Sequence, residues 1–517
     1  MSHFQRPPSF VVAGVLFAAL GSNPICSHAA GEDSAAPPVN APAHFKNAPS
    51  KARASESAAR VFTNVDAWWK IFHDGGLDDL EKSALAANQD LRQAVARVDE
   101  ARGEARIAAA DFYPHLDGSY QASRQRTTNT GPVQRGRFVG GIATGETPLG
   151  PAAAGSSTFT SFLTRPVLSQ PLSSTFNDFR TPLRLTYEVD VFGRIRSTYA
   201  QARATAQASD ADRRAVELSV SAQVAEGYFN LRALDAQIMI LRRTAVLRED
   251  ARHLQEERLR LGAGNDSDVA RAGVELANTQ SDLTDALRQR AEAENNLAAL
   301  CGAMASDFRV APHPLDDQVP PKIPVGVPGK LLAQRPDLQE AGRKIEAAAS
   351  GVRVARAELL PTFDIEGDGG YDTAKASELT DWQSRTWEIL ATVKVPIFEG
   401  GKNVANLSAA KAKRDEAVAA YQETVVTAFK EVENALADLE QRAAQTAARA
   451  TAETESQRVL ENSQERYTNG ATTYFEVVDA QRDLLGAELR RVETLAARYA
   501  ATVELVRALG GGWWESR

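Results

Sequence analysis

The sequence predicts a mainly α-helical chain that also contributes to a membrane β-barrel, built as one unit repeated twice. Landmarks recur at a fixed spacing: Arg258-Leu-Arg-Leu-Gly262 leads to Gly302, and Arg466-Tyr-Thr-Asn-Gly470 leads to Gly510, an offset of 208 in both cases. The same offset aligns Asp268 with Glu476, Leu297 with Leu505, and Gly193-Arg194 with Gly401-Lys402. Landmarks kept in order over so long a stretch mark a duplication. Each copy also holds a run of roughly 65 residues with no proline, long enough for a rod of about 95–100 Å. Finally, short runs alternate apolar with polar residues, as strands with one wet face do.

Taken in order, residues 1–29 carry Arg6, an apolar run from Phe10 to Leu20 and small residues up to Ala29, the layout of a secretory signal peptide. A second reading makes Cys26 a lipid-attachment site, although Asn23-Pro24-Ile25 before it is not the small-residue approach such signals use. Residues 30–60, rich in Ala, Pro and Ser, read as a flexible tether. The first repeat spans 61–302. Residues 74–111 read as a helix ended by Pro114, strands fall at about 114–126 and 181–192, and long helices at 194–258 and 265–301. A Pro-rich linker, 303–335, leads to the second repeat, 336–510, and a tail, 511–517. Pro336 suits a first helical turn, where its missing N–H costs nothing. Strands are expected at about 361–371 and 386–398, and long helices at 402–466 and 473–508.

In the last strand Trp387, Ile389, Ala391, Val393, Val395 and Ile397 share one face, and Glu388, Thr392 and Lys394 the other. Alternation alone fits a half-buried soluble sheet as well as a barrel wall. The helices decide between them, because they are far longer than a globular core can cover. Val418, Tyr421, Val425, Ala428, Val432, Ala435 and Leu439 step by threes and fours, a coiled-coil period. Four strands cannot close a barrel, so closure requires several copies. Gly262 and Gly470 mark the tips where the long helices turn.

Several classes are excluded. With 59 Lys+Arg against 67 Asp+Glu the chain is mildly acidic, which argues against nucleic-acid binding. A charged fraction of 24% and a mean hydropathy of −0.33 exclude a polytopic helical membrane protein. Two cysteines and seven histidines, without HExxH or other ligand spacing, offer no metal site. No Walker A or nucleophile-elbow pattern occurs, and the glycine clusters do not open helices, so neither a cofactor nor an enzyme is expected.

The motifs Tyr187-Glu-Val-Asp-Val-Phe-Gly-Arg194, Arg335-Pro-Asp337, Ala357-Glu-Leu-Leu-Pro361, Phe398-Glu-Gly-Gly401 and Arg466-Tyr-Thr-Asn-Gly470 stand in order along the chain. With Tyr474-Phe-Glu-Val-Val-Asp-Ala-Gln-Arg482 they make it resemble the outer-membrane efflux protein family, in the branch serving resistance-nodulation-division pumps. That resemblance implies a homotrimer in the outer membrane of a Gram-negative bacterium. Its 12-stranded barrel would take four strands per chain and continue as a long periplasmic α-helical barrel with a mixed equatorial belt. A periplasmic adaptor and an inner-membrane pump are the implied partners. The resemblance also places a gate at the helix turns, on Tyr467, Phe475, Glu476, Asp479 and Arg482, and on Asp268 of the first repeat. Glu476, Asp479 and Arg482 lie at i, i+3 and i+6, near one helical face, and three-fold symmetry turns each into a ring. The plainer reading is a solvated helix start with acids at its positive end.

The residues from about Thr127 to Asp178 make a longer first surface loop than such channels need, either an insertion without fixed structure or a lid or receptor surface outside the cell. The implied function is a passive exit duct for drugs or other toxic compounds. The alternatives are the exit duct of a type I protein-secretion system and, from another class, a periplasmic coiled-coil adaptor.

Overall fold

The repeat governs the order of elements in the computed structural model, which describes residues 45–47, 65–126, 175–315, 319–321, 323 and 334–511. The signal peptide, Cys26, residues 127–174 of the surface loop, most of the tether and residues 512–517 lie outside the described residues. A 3₁₀ segment, Val65–Phe72, precedes α1 (Gly75–Ala87), α2 (Gln89–Ala110), β1 (His115–Gly118), β2 (Gln121–Arg126), β3 (Thr175–Glu188), α3 (Arg194–Arg260) and α4 (Asp266–Leu300). The second copy runs α5 (Pro336–Ala357), β4 (Thr362–Thr373), β5 (Arg385–Lys394), α6 (Lys402–Thr468) and α7 (Tyr474–Ala508).

Helices α3 and α6 are each 67 residues long, and α4 and α7 each 35; within each pair the starts are 208 apart. Their hairpins close with the same turn. Gly262 (φ 76°) and Gly470 (φ 69°) are left-handed, and the next amide reaches back to Arg258 O at 2.9 Å in one turn and to Arg466 O at 2.8 Å in the other. Such a turn needs a residue at positive φ, which glycine adopts without a Cβ clash.

The described residues divide into two compact units, one of those within 100–203 and 351–410, the other of those within 1–99, 204–350 and 411–517. The first holds an antiparallel sheet in which β1 and β2 share one edge of β3, followed by β4 and β5. Register sorts its side chains. Leu183 and Leu185 share a face with Phe363, Ile365, Trp387, Ile389 and Val393; Arg184, Glu366, Asp368, Glu388 and Thr392 share the other. Ion pairs Arg184–Asp368 (2.9 Å) and Arg180–Asp372 (3.2 Å) cross the polar face.

The structure corrects several boundaries. The expected strand 114–126 is two strands, although its register against β3 runs through unbroken. Ser119 donates to Pro182 O at 3.1 Å, but Pro182 has no N–H to return, so the ladder lapses there. The strand expected at 181–192 begins at Thr175, inside the presumed loop, and ends at Glu188. It ends because the Asp190 carboxylate turns to accept the amides of Ile195 (3.1 Å) and Arg196 (2.9 Å), capping α3. The strand expected at 361–371 runs from Thr362 to Thr373. The one expected to reach 398 stops at Lys394, two residues before Pro396. The single helix expected at 74–111 is broken at Asn88, whose side chain accepts from Leu91 N (3.0 Å) and donates to Leu300 O (2.8 Å).

In the second unit the coiled-coil stripe of α6 is buried at Tyr421, Val425, Ala428, Val432 and Ala435. It packs with Tyr228 and Phe229 of α3 and with Leu495, Tyr499 and Val503 of α7. Trp68, Trp69 and Phe72 of the 3₁₀ segment join this core, with Phe72 edge-on to Phe229 at 4.7 Å. The tether is not free throughout. Glu433 accepts the amides of Lys46 (2.6 Å) and Asn47 (3.1 Å), and Phe45 is buried 6.2 Å from Phe429. The linker is held at its start, where Arg232 donates to Ala311 O (2.8 Å), Arg290 to Val310 O (2.8 Å), and the Asp235 carboxylate accepts His313 N (2.9 Å).

Candidate functional site

The two helix turns carry the candidate gate. Asn265 caps α4 by accepting Ser267 N at 3.0 Å, while Thr473 precedes α7 without a side-chain cap. Tyr474, Val477 and Val478 turn inward onto Ala272, with Leu460 and Tyr467 against them. That apolar seam fixes which residues of α7 face outward. Phe475, Glu476, Asp479 and Arg482 are exposed, as is Asp483 beside them.

Two of the expected residues join helices from different repeats. The Tyr467 hydroxyl, near the end of α6, accepts Arg258 Nη1 at 2.6 Å and meets the Gln255 amide at 3.0 Å, both on α3. The Arg258 guanidinium also lies 4.8 Å from the centre of the Tyr467 ring, a cation–π contact. On α7, Arg482 grips Glu275 of α4 through Nε at 2.8 Å and through a second contact from Nη2. Glu275 is buried, and its other oxygen lies 3.2 Å from Arg248, also buried. Arg248 donates further to Glu275 O (2.9 Å) and Thr279 Oγ1 (2.5 Å). One buried carboxylate therefore sits between a buried arginine and a half-exposed one. Burial pulls the Arg248 pKa down, and the bond to Glu275 pushes that of Arg482 up. Burial also raises the Tyr474 phenol.

The other expected residues are placed more loosely. Glu476 pairs with Arg466 across the turn at 3.4 Å, an exposed contact. Phe475 is half-exposed beneath the Arg271 guanidinium, 5.2 Å from the ring centre. Among the described residues the Asp268 and Asp479 side chains have no hydrogen-bond or ion-pair partner; Asp479 acts on Arg482 through its charge alone. Within one chain, then, Tyr467 hydrogen-bonds to α3 and Arg482 pairs with α4.

Sequence reading missed Gln255, Arg258, Glu275, Arg248 and Thr279. A signal for three of them was present: Gln255 and Arg258 lie 212 and 209 residues from Tyr467, and Glu275 lies 207 from Arg482, each close to the repeat offset of 208. The bonds join nearly equivalent positions of the two copies.

No cluster of three or more His, Cys, Asp or Glu arranged for a metal ion occurs among the described residues, and none of their helices is long and apolar enough to cross a membrane. The sequence matches the family described as "Outer membrane efflux protein" over residues 80–303 and 327–511. It is 32% identical to outer membrane protein OprJ of Pseudomonas aeruginosa, covering 99% of this chain and 98% of OprJ. The pyoverdine export outer membrane protein OpmQ of the same species is 30% identical, with 91% and 92% covered. Among solved structures, the Campylobacter jejuni CmeC outer membrane channel superposes with a TM-score of 0.78 at 25% identity, covering 94% of this chain and 96% of that one.

Proposed function

The chain belongs to the outer membrane efflux protein family, and from that premise we propose how it serves as the outer-membrane channel of a tripartite efflux system and where that channel is controlled. Three copies form the duct in the outer membrane, working with a periplasmic adaptor and an inner-membrane pump of the resistance-nodulation-division type. The observation that carries this assignment is the sheet. One face is apolar, the other holds ion pairs, and its outer edges, β1/β2 and β5, have no partner strand among the described residues. Edges of this kind need other copies to pair them, and a wall apolar on one side only suits lipid outside and water within.

The duct performs no chemistry, and the pump supplies the energy. Control falls at the helix turns. Tyr467 ties α6 to α3, and Arg482 ties α7 to α4 through Glu275. These two contacts hold the helix ends of each chain in the closed arrangement, while the exposed acids Glu476 and Asp479 and the half-buried Asp268 form rings that favour cations in the passage. OpmQ is named for pyoverdine export; the cargo of this chain is chosen upstream, by its pump. A deletion strain profiled against dyes, antibiotics, detergents and metals identifies that cargo. The channel itself is tested by purification and planar-bilayer recording. A detergent-stable trimer with defined conductance steps is expected, and a monomer that keeps its strand signal in mild detergent would overturn the barrel.

A further inference from the structure

Helix α1 is pinned at both ends by polar bonds and seated in between on an apolar seam. At its start the Tyr228 hydroxyl of α3 meets the Asp74 carboxylate at 2.7 Å; at its end Asn88 donates to Leu300 O at 2.8 Å. In the seam, Leu80 and Ala84 of α1 pack with Val220 and Val224 of α3, with Leu300 and Cys301 at the end of α4, and with Phe308. In the middle of this contact stands Glu81, with no exposed surface and no hydrogen-bond partner on either carboxyl oxygen. Beneath it the Cys301 thiol, 3% exposed, lies 3.7 Å from Leu80 O.

The groups that bear on the Glu81 carboxyl are few, and none is cationic. Ser221 of α3 is a buried hydroxyl that favours the carboxylate but lies outside good hydrogen-bond geometry; Asp78, one turn earlier on α1, adds a like charge, and the Cys301 thiol at the end of α4 is itself raised by a charge on Glu81. A neutral carboxylic acid can remain in such a place. A carboxylate there, unpaired and beside another acid, cannot do so without cost, because a buried charge needs a partner or water.

We propose that Glu81 is a proton-operated latch: protonated, it lets α1 lie closed on α3 and the end of α4, and on losing its proton it lifts the middle of α1 off that seam. The group most directly uncovered is Cys301, so the thiol reports the latch. Burial raises the Glu81 pKa to about 8 and that of Cys301 to about 11. The latch therefore opens on the alkaline side of neutrality, while a covered thiol stays protonated and unreactive.

The test uses the full chain as the purified trimer. Wild type and Glu81→Gln are exposed to a small thiol-alkylating reagent at about pH 6 and about pH 9, and the Cys301 peptide is quantified by mass spectrometry. A charge at position 81 beside a covered thiol can only raise the thiol pKa and slow wild-type labelling at the higher pH, so faster labelling of wild type reports uncovering of Cys301 rather than a larger thiolate fraction. Equal labelling is expected at the lower pH, and roughly ten-fold faster labelling of wild type at the higher one, where only it carries a charge at position 81. A ratio of one at both pH values overturns the proposal. Should Glu81→Gln not assemble, hydrogen exchange of wild type alone decides. After correction for the intrinsic pH dependence of exchange, amides 75–87 should lose protection on going to the higher pH while those of 425–436 in α6 keep theirs. Unchanged protection in α1 overturns the proposal equally.

Discussion

The double change Tyr467→Phe with Arg482→Ser isolates the two contacts that join the repeats at the turns. The first removes a hydroxyl that accepts from a guanidinium at 2.6 Å but leaves the ring in its seam with Tyr474. A part-buried bond of that kind contributes about 1–1.5 kcal/mol. The second removes the half-exposed partner of Glu275, for under about 1 kcal/mol, because Glu275 keeps the buried Arg248 beside it. About 2 kcal/mol per chain, multiplied by three chains that open together, gives about 6 kcal/mol, enough to move an equilibrium from 99:1 closed to mostly open. Neither change touches the sheet. The double variant should assemble with normal trimer yield, raise single-channel conductance in planar bilayers and admit large antibiotics to the cell. Normal conductance and normal antibiotic resistance in a well-assembled double variant would place the constriction elsewhere.

Other outcomes follow from the same structure. Replacing Glu275 by Gln should do more damage than Arg482→Ser, because it leaves Arg248 buried without its carboxylate, a loss of about 3–5 kcal/mol; thermal melting of the trimer measures it. On β5, Val393→Arg puts a charge on the lipid face at a cost of about 2–4 kcal/mol near mid-bilayer, whereas Thr392→Arg faces Asp364 on the polar side and should be accepted. Outer-membrane yield of the two variants compares them directly. A Cβ at Gly370 would meet Thr181 O at 2.2 Å, so Gly370→Ala should disrupt the β3–β4 pairing, while Gly369→Ala, with open space, should assemble normally. For Glu81, whose pKa is raised from 4.5 to about 8, the folded state holds the proton longer than the unfolded one. Wild-type stability should fall as pH rises through that window and level off above it. Glu81→Gln should therefore be the more stable protein, by at most about 5 kcal/mol above pH 8 and by nothing below pH 4.5, as read by melting across pH.

What was legible in the amino-acid order was everything that repeats. The helix pairs of 67 and 35 residues, the left-handed glycines at 262 and 470, and the α6 stripe all follow from local pattern and backbone sterics, which act over a few residues. The alternation of β3, β4 and β5 was legible for the same reason, although their ends were not. Those ends depend on single donors and caps across the chain: Pro182 opposite Ser119, and Asp190 bending onto α3. The family followed from motifs in order, and with it the barrel that one chain cannot close.

Only the tertiary structure decided who partners whom. Glu275 carries no local signal, being one more acid in a charged helix, until folding brings α4 beside α7 and buries it between Arg248 and Arg482. Glu81 carries no mark in the sequence to set it apart from the other acids of its helix, and it is fully covered because α1 lies on α3 and the end of α4. Phe45 to Asn47 read as tether and are held by Glu433, close to four hundred residues away in sequence. Pattern reports which face of a helix is apolar. Which neighbour covers that face, and so which polar side chains lose their water, is a property of packing between segments far apart in the chain.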